Sequence, residues 1–284
     1  MYTASFEYRR ADTVDEAIDW LKADPDNSKV LAGGHSLLPL MKLSLAQPRI
    51  VIDIGRIRAL QGVHDEGSFL RIGAYTVYAD LARNAVINDF AKLLAQGAAS
   101  VGDVQVRSRG TIGGSLCHAD PQADMPAAVL ALDGELIIEG PQGQRTQAVE
   151  GFFQAPFITS LAPDELLTAI RIPKLPPHAQ SVYLKRPHPA SGYPVVGVGA
   201  WARITDGVTE TCHLAVTGIA DLPFRAQRAE EYLQGRRLGA ESIREASQLA
   251  SADALLSGDD DGYKKNLLEV YMTRALWQLA ESFE

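Results

Sequence analysis

Ala32-Gly33-Gly34-His35-Ser36 and Gly110-Thr111-Ile112-Gly113-Gly114-Ser115 are the two segments on which the reading of this chain turns. Each begins near the end of an apolar or extended stretch. Glycine pairs let a backbone turn through positive φ and point successive N–H groups into one concavity, with no Cβ to block a phosphate. Ser36, Thr111 and Ser115 add hydroxyl donors. One isolated Gly-Gly pair more often marks a tight turn than an anion cradle. Two in one chain shift the balance toward the cradle.

Working outward, 30–31 and 50–52 read as short buried strands bracketing the first loop, and 70–73 as another. Ahead of them, Thr13 with Glu16 three residues later forms a capping box before Val14, Ala17, Ile18 and Leu21. Asp24-Pro25-Asp26-Asn27 ends that helix. Helices are predicted over 76–83 and 89–99. After the second glycine loop come an apolar helix at 125–132 and a strand at 135–139. This alternation gives the first half α/β character.

Pro173, Pro176 and Pro177 interrupt the chain after a strand at 166–172, because proline continues neither ladder nor helix. The domain boundary is placed there, giving residues 1–175 and 176–284. Beyond it, strands at 195–204 and 210–217 are joined by the hairpin signal Asp206-Gly207. Helices then lead to the C-terminus. The last, predicted over 263–283, puts Leu268, Tyr271, Ala275 and Leu279 on one face and reads as core packing.

Composition narrows the function. The chain has 284 residues, 46% hydrophobic and 22% charged, with 27 basic and 35 acidic side chains for a net charge of −8. Such an acidic chain lacks the general basic surface that nucleic acid or anionic membrane requires. Two cysteines, Cys117 and Cys212, cannot supply the four thiolates of an iron–sulfur cluster or a cysteine-rich zinc site. No apolar stretch approaches the ~20 residues of a membrane span. Arg9-Arg10 is followed by Asp12 and Asp15 where a twin-arginine signal would turn apolar. The expectation is a mature, cytoplasmic protein.

The fingerprint G-x-G-x-x-G and the Walker pattern are both absent, so any phosphate cradle here is of another kind. Past the second glycine loop runs Leu116-Cys117-His118-Ala119-Asp120-Pro121-Gln122-Ala123-Asp124-Met125-Pro126. Its carboxylates are placed to hydrogen-bond sugar hydroxyls from a proline-stiffened turn. Asp124 has a second reading, as a helix N-terminal acid that favours the dipole, and the two are compatible. Cys117-His118 has no third ligand nearby, so no metal site is expected and His118 reads as a loop histidine near phosphate or ribose. His64, His178, His188 and His213 show no ligand or triad spacing.

Taken in order, residues 32–39, Ile52-Asp53-Ile54, residues 109–115, Asp120-Pro-x-x-Asp-Met-Pro and Glu165-Leu-Leu-x-x-Ile-Arg-Ile-Pro resemble the FAD-binding medium subunit of molybdenum hydroxylases. That group includes the medium subunits of carbon monoxide dehydrogenase and xanthine dehydrogenase. The resemblance implies an α+β chain. Its FAD-binding domain would be of the two-part p-cresol methylhydroxylase (vanillyl-alcohol oxidase) type. A smaller C-terminal domain of antiparallel sheet and helices would follow.

The resemblance also assigns FAD contacts. Ala32, Gly33, Gly34, His35 and Ser36, with Leu37 adjoining, and Thr111, Gly114 and Ser115 are implied at the pyrophosphate. Asp124, with Asp120 close by, matches an acidic contact, and Leu167 a backbone contact near the flavin. Lys185 in Tyr183-Leu-Lys-Arg and Tyr193 in Ser191-Gly-Tyr-Pro match the segments that approach the ring. A lysine there would favour the anionic reduced flavin by Coulomb attraction, and an aromatic ring would cover its face. Read from the residues alone, Lys185 is equally an exposed strand cation, and Tyr193 a core or hinge residue.

The implied role is electron transfer: FAD takes electrons from the iron–sulfur clusters of a small two-iron two-sulfur partner and passes them to an external acceptor. Substrate oxidation and the molybdenum cofactor would lie in a large partner subunit, the whole a dimer of heterotrimers. No catalytic residue is then required of this chain, because the cofactor carries the chemistry. The competing reading is a self-sufficient FAD-dependent oxidoreductase of the same fold. Ser115, Cys117-His118 and the longer run at 186–191 depart from the carbon monoxide dehydrogenase pattern, and the resemblance names no substrate.

Overall fold

Thr13 opens the first helix by accepting the amide of Glu16 at 3.1 Å. The Glu16 carboxylate takes the amide of Asp12 at 2.8 Å, so the return half of the predicted capping box lands one residue upstream of the cap. The computed structural model describes residues 2–254 and 261–282. Its first unit comprises β1 (Glu7–Arg10), α1 (Val14–Ala23), β2 (Ser28–Leu31), α2 (Leu37–Lys42) and β3 (Ile50–Asp53). The strands pair in the parallel order β1-β3-β2. Ala17, Ile18 and Leu21 of α1 pack on Ile50 and Ile52.

The second unit holds β4 (Val63–Asp65), β5 (Phe69–Gly73), α3 (Tyr78–Arg83), α4 (Ala85–Phe90), α5 (Lys92–Ser100), α6 (Val104–Arg109), α7 (Ile112–His118), α8 (Asp124–Ala131), β6 (Glu135–Gly140), β7 (Gly143–Ala148), β8 (Phe153–Ala155), β9 (Ile158–Thr159) and β10 (Leu166–Pro173). Its sheet, ordered β4-β5-β10-β6-β7, is antiparallel throughout. The predicted α/β alternation therefore holds for the first sheet only. A parallel sheet would have placed each helix as a crossover, whereas here β5 and β6 are joined through β10, far away in sequence.

Three predicted elements are corrected. The helix expected at 76–83 starts at Tyr78, because the Thr76 hydroxyl is tied to Gly62 and Val77 forms a bridge with Thr111. The helix expected at 89–99 is two, since Asn84 caps α4 through the Ile87 amide and Ala91 leaves the helical region at φ −149°. The second glycine segment is not a loop. Thr111 accepts the amide of Gly114 at 3.1 Å and so starts α7 inside it.

The third unit is the antiparallel sheet β11 (Gln180–Pro187), β12 (Pro194–Thr205), β13 (Val208–Thr217) and β14 (Phe224–Arg225), covered by α9 (Gln227–Leu233), α10 (Ala240–Asp253) and α11 (Asp261–Glu281). Asp206 and Gly207 both have positive φ, the signature of the tight hairpin read from sequence. Leu268, Ala275 and Leu279 are buried and Tyr271 packs beside them, as the helical period required. Phe283 of the predicted last helix lies outside the described residues. Tyr183, Trp201 and Ala215 of this unit enter the core of the second, with the Trp201 indole donating to the Ala131 carbonyl at 2.7 Å. The molecule is thus α+β, with a parallel, an antiparallel and a helix-covered antiparallel layer.

Candidate functional site

A cleft of about 630 Å³ runs between the first and second units, with the β11–β12 turn at one end. That volume lies in the range of cofactor sites. Leu21, Ser28 and Val30 come from the first unit, Tyr78, Ser115 and Leu167 from the second, and Ser191, Gly192 and Tyr193 from the turn. Every sequence-predicted site residue lines it except Lys185.

The first glycine segment follows β2 and leads into α2. Among the described residues, no protein acceptor takes the backbone N–H groups of Gly33, Gly34, His35, Ser36 or Leu37. Gly34 sits at φ +77°, the left-handed region that glycine enters without penalty. The His35 ring turns back to the Gly33 carbonyl at 3.1 Å, leaving its amide free. Such a run of unpaired donors is a ready anion site.

The second segment differs. The amides of Ile112 and Gly113 are bonded to Thr76 and Ala74, that of Gly114 to the Thr111 hydroxyl and that of Ser115 to the Thr111 carbonyl. None of its glycines has positive φ. The expectation that both segments cradle phosphate through turned backbone is therefore corrected for the second. Its glycines serve close packing: a Cβ on Gly113 would meet the Ala74 carbonyl oxygen at 2.7 Å. Its Thr111 and Ser115 side chains still border the cleft.

Charged and aromatic groups cluster toward the β11–β12 turn. Asp124 is the first residue of α8, as the dipole reading required, and its side chain also lines the cleft. It is buried and bonded by the Tyr183 hydroxyl at 2.8 Å, Lys185 Nζ at 3.0 Å and the Ser100 hydroxyl at 3.4 Å. Burial raises its carboxyl above the ordinary aspartate value, against the opposing pull of Lys185. Lys185 is not the exposed strand cation considered above; its side chain is 7% exposed. Asp120 folds onto the Gln122 amide at 2.9 Å in an Asx turn.

Burial lowers the His118 pKa against the opposing pull of Asp120, and the ring is tilted against Phe157 at 5.2 Å. Burial also pushes Cys117 up to about 12, leaving an inert thiol. The Tyr78 phenol is likewise pushed up to about 12. Tyr193 remains 42% exposed at the cleft mouth. Among the described residues, no group of three or more His, Cys, Asp or Glu is placed to hold a metal.

Sequence reasoning missed part of the wall. Ser28 on β2 is buried, lines the cleft and has no hydrogen-bond partner for its hydroxyl. A hydroxyl on the strand leading into the glycine loop was the available signal. Phe157, at φ +61°, and Leu161, Ala162 and Pro163 also line it, and no local pattern marks them. An unpaired buried hydroxyl and a run of open amides are what a polar, phosphate-bearing ligand would satisfy.

Comparison with known proteins accords with that chemistry. Residues 4–175 match the FAD binding domain in molybdopterin dehydrogenase, and residues 181–279 the CO dehydrogenase flavoprotein C-terminal domain. The chain is 35% identical to the carbon monoxide dehydrogenase medium chain of Hydrogenophaga pseudoflava, over 97% of each. It is 32% identical to the glyceraldehyde dehydrogenase medium chain of Sulfolobus acidocaldarius, over 99% of this chain and 100% of that one. A solved carbon monoxide dehydrogenase chain from Hydrogenophaga pseudoflava superposes with a TM-score of 0.96 at 36% identity, covering 99% of both. With a two-unit cleft whose open amides suit a pyrophosphate, and a matched domain over most of its length, the chain belongs to the FAD-binding medium-chain family of molybdopterin dehydrogenases, and is an oxidoreductase flavoprotein of that family.

Proposed function

We propose that this chain is the electron-transfer subunit of a three-subunit molybdenum hydroxylase. Residues 1–175 bind FAD and residues 176–284 close the flavin end of the site. The observation that carries this reading is the cleft itself, lined by five backbone amides that have no partner among the described residues and by a charged, aromatic group beside Tyr193. Bound FAD would supply the redox chemistry, accepting electrons and releasing them to an external acceptor. The chain's own residues bind and orient. Gly33 to Leu37 donate backbone hydrogen bonds to the pyrophosphate, with Ala32, Thr111, Gly114 and Ser115 walling it. His118 and Asp120 would meet the sugar and linker region, Asp124 would lie where the linker joins the flavin, Leu167 would offer backbone, and Tyr193 would cover the ring at the mouth.

Electrons would arrive from a small two-iron two-sulfur subunit, and substrate would be oxidised in a large molybdenum-cofactor subunit, the assembly being a dimer of heterotrimers in the cytoplasm. The resemblance of the whole chain to medium chains of multi-subunit dehydrogenases supports this. No helix among the described residues is long and apolar enough to cross a membrane. The test is purification of the chain from its host. Flavin absorption over broad iron–sulfur bands, with one large and one small partner, is expected. A solitary flavoprotein reduced directly by a substrate would overturn the assignment in favour of a self-sufficient oxidoreductase.

A further inference from the structure

A buried ion pair joins two units of the chain at the flavin end of the cleft. Asp124 Oδ2 accepts Lys185 Nζ at 3.0 Å, and the two side chains are 4% and 7% exposed. Asp124 Oδ1 accepts the Tyr183 hydroxyl at 2.8 Å. Tyr183 and Lys185 sit two apart on β11, so both project from one face of the strand. Asp124 lines the cleft and Lys185 does not. Replacing a buried ion pair by apolar groups is often neutral or stabilising, so the pair is weakly explained as a device for stability.

We propose that Lys185 is a positioning residue that acts on the bound flavin through Asp124, holding that carboxylate oriented and charge-compensated, instead of presenting its cation to the ring. The inference rests on the cleft being the FAD site. With Lys185 in place, the wall offers the flavin a fixed acceptor carrying no net charge. Without it, the carboxylate becomes an unpaired negative charge against the flavin or takes up a proton, and loses its aim in either case.

The groups facing Asp124 leave that task to Lys185. Tyr78 on α3, Tyr183 on β11 and Tyr193 in the β11–β12 turn are phenols held above their ordinary range by burial, and Ser100 on α5 is neutral. Asp120 is acidic and raises Tyr193 together with Asp124. The opposing cation is Lys185.

The test is a double-mutant cycle on the full-length FAD-bound chain, read by the midpoint potential of the flavin across pH and by FAD affinity. Lys185→Met is expected to add a pH-dependent step to the potential. Above that step the potential falls, because an ionised, uncompensated Asp124 disfavours added electrons. FAD binding is expected to weaken roughly tenfold, equivalent to ~1.4 kcal/mol. In an Asp124→Asn background the same Lys185→Met change should add no step and alter affinity by less than about twofold. Lys185→Arg should restore the wild-type profile.

An equal fall in potential in both backgrounds would overturn the proposal and place the lysine charge directly on the ring. A lowered Tm with an unchanged pH profile would also overturn it, leaving a structural pair only. Should Lys185→Met not fold, Lys185→Gln, which removes the charge and keeps a polar side chain of similar length, is expected to give the same step. A wild-type chain that takes up no FAD would instead overturn the reading of the cleft.

Discussion

At Gly33 to Leu37, five consecutive backbone amides lie beside the cleft without a protein partner among the described residues, whereas at Ile112 to Ser115 the amides are all bonded within the fold. The two segments share a Gly-Gly pair followed closely by a hydroxyl or imidazole, and their glycines are needed for opposite reasons. In the first, Gly34 supplies a positive φ that turns the chain into an open cradle. In the second, Gly113 allows α7 to press against the backbone at Ala74. The segments meet at Gly33, where a Cβ would lie 2.1 Å from the Arg109 carbonyl oxygen. The cradle is therefore propped by the joint.

That contact gives the largest expected effect. Gly33→Ala sets a methyl against backbone that no rotamer change relieves, toward the upper end of the ~1–3 kcal/mol typical of overpacking. Thermal stability and FAD content should fall together, and a variant that keeps either would separate cradle from joint. Gly113→Ala comes next. With Ala74 Cβ at 2.6 Å, a loss of about 2 kcal/mol is expected in Tm or denaturant midpoint. FAD affinity of the folded fraction should stay near wild type; loss of FAD at unchanged Tm would make the second segment a cradle as well.

Gly34→Ala is expected to act in the converse sense. The left-handed backbone carries about 1–2 kcal/mol of strain for a residue with a Cβ. Relief of that strain re-aims the amides, so FAD titration should show roughly tenfold weaker binding. The fall in Tm should be smaller than for Gly113→Ala; a larger one would assign Gly34 to packing.

The smallest effect concerns Glu165 in the cleft wall. Arg145 grips Glu165 at 2.7 and 2.8 Å and holds its carboxyl below the ordinary glutamate value of 4.5. A depressed folded value means the pair's contribution is present above pH 4.5 and is lost as pH falls through the folded value. Arg145 is 38% exposed, so the gap in Tm between wild type and Arg145→Met should be modest near neutrality and should close in acid. A gap that widens in acid would reverse the sign.

Features legible in the sequence are those written in a few adjacent residues. Thr13 announced α1, Asp206-Gly207 the hairpin, and Leu268, Ala275 and Leu279 the buried stripe of α11, because caps, turns and helical periods are local. The break at Ala91 was not legible, since alanine is the residue least expected to end a helix. Nor was the antiparallel sheet that sets 69–73 beside 166–173, because strand pairing at that separation leaves no trace in either strand alone.

By itself, then, the sequence determined the ingredients of this protein: an acidic chain with too few cysteines for a cluster, two glycine segments in a family order, and candidate residues that nearly all reach one cleft. Only the tertiary structure decided what each ingredient does. Whether a backbone amide is free for a phosphate depends on which carbonyls the rest of the fold brings within reach, as Ala74 and Thr76 do for α7. Whether a lysine faces a ligand or a carboxylate depends on the chain that folds Lys185 back onto Asp124 across a separation of 61 positions. Both are questions of long-range proximity in a low-dielectric interior, where one neighbour at 3 Å outweighs any local pattern.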